Sequence, residues 1–190
     1  MRILAAWFLT ALLVSSSGAP VLPAETVDAE MAMRVKAAYL FQFTRFVQWP
    51  EGSFPDEKSP IVIGVLGRDP FGRTLDSTVA DEKVRGRGIE VRRLGQGEDS
   101  YESVRGCHVL FVSDSLGPGL DPMLEAWRES SVLTVSDVDG FAARGGIVEL
   151  APEQGRIIFK VNRVAAERAD LKLSARLLRL ARIVEPRVNE

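Results

Sequence analysis

Histidine and cysteine occur once each in the 190 residues, as His108 and Cys107, and that scarcity excludes more functions than any motif assigns. A single cysteine forms no intramolecular disulfide, so the fold must rest on packing whatever the redox compartment. Successive side chains on a strand point to opposite faces, which keeps Cys107 and His108 from acting together as nucleophile and base. There is no Gly-x-Ser-x-Gly, no phosphate-binding loop and no paired metal spacing, and both Gly86-Arg87-Gly88 and Gly95-Gln96-Gly97 lack the third glycine of a dinucleotide fingerprint. The chain is therefore read as a non-enzyme with no cofactor and no metal. A basic excess is also missing, since 24 Lys and Arg face 26 Asp and Glu, which speaks against a nucleic-acid partner. Internal repeats and low-complexity tracts are absent as well.

What is present begins with a targeting segment. Arg2 precedes an unbroken apolar run, ILAAWFLTALLV from Ile3 to Val14, too short to cross a bilayer, and small residues follow from Ser15 to Ala19. Residues 1–24 are expected to be a signal peptide, with a cut after Ala24 preferred because Pro20 would sit badly after Ala19. No stop-transfer pattern follows, which disfavours a retained anchor, and Cys107 is too far along to be a lipoprotein cysteine. The mature chain, residues 25–190, is expected to be exported and soluble and to form one domain with a sizeable core.

Along that chain the pattern alternates. Helical spacing covers 26–48, and Pro50, Pro55 and Pro60 then punctuate a loop. IVIGVL (61–66) and CHVLFVS (107–113) are continuous apolar runs, as strands buried on both faces would be, while IEVRR (89–93) alternates and belongs nearer an edge. A short helix over 70–80, a turn or helix around 99–104, a helix over 118–129 and a strand over 132–136 complete a βαβ series. GIVEL (146–150) and RIIFKV (156–161), joined by APEQG, read as an antiparallel hairpin, and a last helix, interrupted near Asp170, runs over 163–184. The expected fold is α/β: three layers, a mostly parallel sheet of about six strands with an added antiparallel hairpin, and helices on both faces.

The first helix carries KAAYLFQFTRFVQWP (36–50), with five of the chain's fourteen aromatics. Tyr39, Leu40, Phe43, Phe46 and Val47 fall on one face and form a core stripe. Phe41 projects to the other side beside Arg45 and Gln48, where it is either a singly exposed apolar side chain or an anchor for a second copy or a partner. The last helix divides similarly. Leu173, Leu177, Leu180 and Val184 are expected inside, while Arg168, Lys172, Arg176, Arg179 and Arg182 gather outside, either as a solvated face or as a docking surface for an acidic partner or anionic headgroups. A ligand crevice is the remaining candidate. Asp69, Ser113, Asp114, Ser136 and Asp137 follow the ends of three parallel strands, at the carboxyl edge where open α/β sheets bind ligands, although Asp and Ser there also cap helices.

Five blocks in order, KAAYLFQFTRFVQWP, IVIGVLGRDPFG, GCHVLFVSDS, VLTVSDVDGFAARGGIVEL and RIIFKVNRVAAERADLKLSARLLRLARIV, closely resemble the YfiR-like family of bacterial periplasmic regulators across essentially the whole mature chain. The resemblance implies a non-enzymatic, dimeric protein that binds the periplasmic domain of an inner-membrane diguanylate cyclase and restrains it. An outer-membrane OmpA-like lipoprotein would relieve that restraint, and cyclic di-GMP and biofilm formation would fall while it holds. Relatives also accompany other membrane sensors, including histidine kinases, and transporters. Members with cysteine pairs differ from this chain, where Cys107 alone offers no intramolecular redox control. The competing readings are a periplasmic small-ligand sensor using the carboxyl-edge crevice, and a periplasmic hydrolase.

Overall fold

A computed structural model describes residues 24–95 and 104–185 of the chain. The expected signal peptide, apart from Ala24, and nearly all of the turn or helix expected over 99–104 lie outside those residues. Helix α1 (Ala24–Phe46) runs directly into strand β1 (Val47–Gln48), and after the proline-punctuated loop come β2 (Ile61–Leu66), α2 (Arg73–Val79), β3 (Lys83–Val84) and β4 (Arg87–Leu94). Strand β5 (Val109–Val112), a 3-10 segment (Asp114–Gly119), α3 (Leu120–Trp127) and β6 (Leu133–Ser136) follow. The chain then forms β7 (Val148–Glu153), β8 (Arg156–Val161), α4 (Arg163–Arg168), β9 (Lys172–Leu173), α5 (Ala175–Leu180) and β10 (Arg182–Ile183).

Eight of these strands make one sheet in the order β10-β8-β7-β6-β5-β2-β4-β3. Strands β4, β2, β5, β6 and β7 are mutually parallel, and β8 turns back antiparallel to β7. The α/β expectation holds, with two short strands, β3 and β10, added at the edges. Both faces are covered, which explains the continuous apolar runs. Ile61, Ile63, Val65, Val109 and Phe111 join α1 and α2 in one core cluster, while Val62, Leu66, Leu110 and Val112 join α3 in the other. Burying each such side chain stabilises the fold by about 1.5–3 kcal/mol. Within β2 the alternation is broken by Gly64, where a Cβ would stand 2.8 Å from Cys107 Sγ and 3.0 Å from Leu110 Cδ1. The strand needs glycine there to let the neighbouring chain approach.

Two expectations about helix faces are corrected. Phe41 is not exposed; it is 8% accessible and belongs to the core cluster. Tyr39 and Phe43 meet Phe159 of β8 with ring centroids 5.4 and 5.5 Å apart, so one flank of α1 is taken by the hairpin. Ala37, Phe41 and Thr44 are buried as well, and α1 also packs on α2, so the buried arc is wider than a helix on a sheet alone requires. Thr44 can enter that arc because its hydroxyl donates to Phe41 O at 2.6 Å.

The interruption expected near Asp170 is present, and it is wide enough to make the last segment two separate helices of six residues. Asp170 adopts φ 53°, a left-handed conformation that ends α4. Residues 172–173 then pair antiparallel with β1, Leu173 opposite Val47, and Ser174 starts α5 by accepting the Leu177 N–H at 3.2 Å. Of the expected stripe, Leu177 is buried, Leu173 and Val184 are half-buried, and Leu180 is 69% exposed. The five basic residues consequently do not share one helix face. Lys172 lies in β9 and Arg182 in β10, leaving Arg176 and Arg179 on α5.

Candidate functional site

The parallel register brings the ends of β2, β5 and β6 level, with Leu66 beside Val112 and Val112 beside Ser136. Asp69, Ser113, Asp114, Ser136 and Asp137 accordingly lie along one sheet edge, but each of them is engaged locally. Ser113 Oγ accepts the Ser115 N–H at 3.3 Å as the cap of the 3-10 segment and donates to Asp114 at 3.2 Å. Ser136 Oγ donates to Val112 O at 2.6 Å and accepts the Val138 N–H at 3.1 Å. Asp69 accepts from the Phe71 N–H at 2.7 Å and from Arg93 Nε at 2.8 Å. Asp137 takes Lys36 Nζ at 2.6 Å, tying α1 to this edge. Arg93 also hydrogen-bonds Asp76 and holds that carboxyl below its usual range. These are caps and clamps, and none of the five residues lines either cavity described below.

At the opposite edge an aromatic stack closes the sheet. His108 stacks on Phe54 with centroids 4.1 Å apart, Trp49 meets the imidazole edge-on at 5.7 Å, and Arg87 lies over the outer face of the stack, 4.1 Å from the Phe54 centroid. Trp49 donates to His108 O at 3.1 Å, and Arg87 donates to Asp56 O and Ser59 O at 2.7 and 2.8 Å, which pins the proline-rich loop. The imidazole Nδ1 accepts the Val62 N–H at 3.0 Å and Nε2 faces Ser53 O at 3.1 Å, an arrangement satisfied by the neutral Nε2–H tautomer. Burial pushes the His108 pKa down. Cys107 points away into the α3-side cluster, where burial pushes its thiol up to about 11. It is a protonated core thiol, not a nucleophile. A cavity of about 400 Å³, lined in part by Ser53, Cys107 and Trp127, adjoins it.

A larger cavity, about 550 Å³, opens between α3, α4 and the loop before β7. Its polar floor was only partly legible in sequence. Asn162 caps α4 as its position before that helix suggests, accepting the Ala165 N–H at 2.9 Å, and also donates to Ala142 O at 2.8 Å. Thr134 accepts the Ile147 N–H at 3.0 Å. Glu149 and Lys160, which do not line the cavity, stand out in the sequence as a carboxylate and an ammonium in apolar strands, and what spacing at the carboxyl edge does not supply is their pairing. The hairpin register places them opposite one another.

The carboxyl-terminal edge differs in kind. Leu180 and Ile183 are 69% and 45% exposed at the end of the sheet that β10 forms. Arg176 stands over the Phe46 ring, 5.6 Å from its centroid, and Arg182 pairs with Glu153 at 2.9 Å. Among the described residues no group of three or more His, Cys, Asp or Glu could hold a metal ion, and no helix is long and apolar enough to cross a membrane.

Residues 33–182 match the family model described as YfiR/HmsC-like. No curated protein sequence matches the chain at a significant level. Among solved structures, the ABC domain in complex with L-Trp from Streptococcus pneumoniae is similar with a TM-score of 0.54 at 10% identity, over 78% of this chain and 60% of that one. A conserved domain protein from Vibrio cholerae O1 biovar El Tor strain N16961 gives 0.53 at 13% identity, over 77% and 59%. At these identities the likeness is one of fold, and this chain spans about three fifths of the length of either structure.

Proposed function

The chain belongs to the YfiR/HmsC-like family, and we propose that it is a periplasmic binding protein that restrains an inner-membrane signalling protein, in the first instance a diguanylate cyclase. Membership of the family suggests a periplasmic regulator of cyclic di-GMP signalling; the cyclase as direct partner, and the lowering of biofilm formation, are our reading. Export through residues 1–24, assembly as a homodimer and release by an OmpA-like outer-membrane lipoprotein belong to the same proposal.

The observation that carries it is the exposed apolar pair Leu180 and Ile183 where β10 ends the sheet of the described residues, in a stretch of chain that also carries Arg176, Arg179 and Arg182. Apolar side chains supply affinity once buried by a partner, and guanidinium groups around them steer an acidic surface into place. Phe41, being part of the core, does not form that surface.

The test uses the purified protein and the purified periplasmic domain of an inner-membrane diguanylate cyclase from the same organism. The two should bind, and Leu180→Asp with Ile183→Asp should weaken binding by roughly tenfold or more, the loss expected of a truncated anchor. Circular dichroism should remain unchanged. Absence of binding by the wild type removes the cyclase as partner, and undiminished binding by the double variant moves the interface off this edge.

A further inference from the structure

We propose that the cavity between α3 and α4 binds a small organic monoanion with an apolar body, a carboxylate anchored by Arg168. The inference does not depend on the identity of the membrane partner. At about 550 Å³ the space falls in the range of small-ligand sites, roughly 300–1,000 Å³. Leu124, Val132, Ile147 and Ala169 give it apolar walls.

The charges select the ligand. Three guanidinium groups, Arg128, Arg144 and Arg168, and two carboxylates, Asp121 and Glu125, line the cavity. Arg144 holds Asp121 at 2.7 Å, and Arg128 is hydrogen-bonded to Glu125. Arg168 has no carboxylate partner among the described ion pairs, and neighbouring Glu167, which faces another side of the helix, pairs with Arg163 at 3.5 Å. One uncompensated positive charge suits a single carboxylate better than a dianion. An ammonium group would meet only carboxylates already paired, so a zwitterion gains nothing from its positive end. The floor side chains, Thr134 and Asn162, already hold backbone groups of the surrounding loop and helix, and they give the cavity a fixed shape. Recognition is therefore by Arg168 at the rim and apolar contact below it.

Isothermal titration of the purified protein with hexanoate, 1-hexanol and 6-aminohexanoate tests this directly. Hexanoate should bind one per chain, more tightly than either analogue. Arg168→Gln should weaken hexanoate by roughly tenfold, the scale of one lost charge-assisted hydrogen bond, and leave 1-hexanol unchanged. Val164→Trp, which fills the cavity without altering its charge, should abolish binding of both, with circular dichroism verifying the fold. No binding of hexanoate at millimolar concentration, equal binding of hexanoate and hexanol, or undiminished binding by Arg168→Gln would each overturn the proposal.

Discussion

Lys160 Nζ lies 2.6 Å from Glu149 Oε1 across the β7–β8 hairpin, and the carboxylate it meets is 1% exposed. The other carboxylate oxygen accepts the Ala142 N–H at 3.1 Å, so one buried charge holds the hairpin and the preceding loop together. Removing one partner should cost far more than removing both, because the remaining carboxylate would lack a countercharge. Lys160→Met should lower stability by about 3 kcal/mol, while Glu149→Leu combined with Lys160→Met should recover a large part of that loss. Urea denaturation of the single and double variants reads the difference, and simple additivity would contradict it.

His108 makes stability depend on pH. Burial keeps its folded-state pKa below the ordinary 6.5, so between those two values the unfolded chain binds the extra proton and the folded chain does not. Its contribution is complete above about pH 6.5 and is lost as pH falls toward the folded-state value. A second proton would also displace the Val62 N–H from Nδ1 and set an imidazolium beside Arg87 and Arg92. Melting temperature should fall from pH 7.5 to pH 5 in the wild type and fall less in His108→Asn, whose amide oxygen can still accept from Val62.

Both aromatic positions on α1 should behave as core sites. Phe41→Ala and Phe43→Ala are each expected to destabilise by about 3–5 kcal/mol. A negligible effect of Phe41→Ala on chemical denaturation would restore the exposed position that helical periodicity suggests.

Gly64 and Cys107 should be energetically coupled. Gly64→Ala should cost about 1–3 kcal/mol by overpacking against the thiol, and Cys107→Ala should relieve part of that cost by withdrawing Sγ. A double-mutant cycle measures the coupling, and independence of the two changes would place the strain elsewhere.

The sheet was legible because its strands obey a rule that one sequence displays: burial on both faces gives uninterrupted apolar runs, as in IVIGVL and HVLFV. The breaks between elements were legible where glycine, proline or a capping side chain marks them. The interruption near Asp170 is legible, but Leu173, Leu177, Leu180 and Val184 repeat at helical spacing and conceal the short strands β9 and β10, whose pairing with β1 and β8 depends on distant parts of the chain. Phe41 was misplaced for a related reason, since periodicity locates one packing partner and α1 has two. The carboxyl-edge residues lie where the strand ends put them, and the capping that Asp and Ser favour there is found at Ser113, while the ion pairs of Asp69 with Arg93 and of Asp137 with Lys36 reach segments that no spacing connects. Both cavities are lined by segments far apart in sequence, the larger by α3, α4 and the loop before β7, the smaller by α3 and the loops around Ser53 and Gly106.

The most direct test of the regulatory account is cyclic di-GMP itself, measured by mass spectrometry after deletion of the gene in a strain that expresses a membrane diguanylate cyclase with a periplasmic domain. If the protein restrains that cyclase it must bind its inactive state more tightly than its active one, since only differential affinity shifts the equilibrium. Deletion should therefore raise cyclic di-GMP, wild-type protein should restore it, and the Leu180→Asp, Ile183→Asp variant should fail to do so while reaching the periplasm in equal amount. Unchanged cyclic di-GMP on deletion would contradict the account.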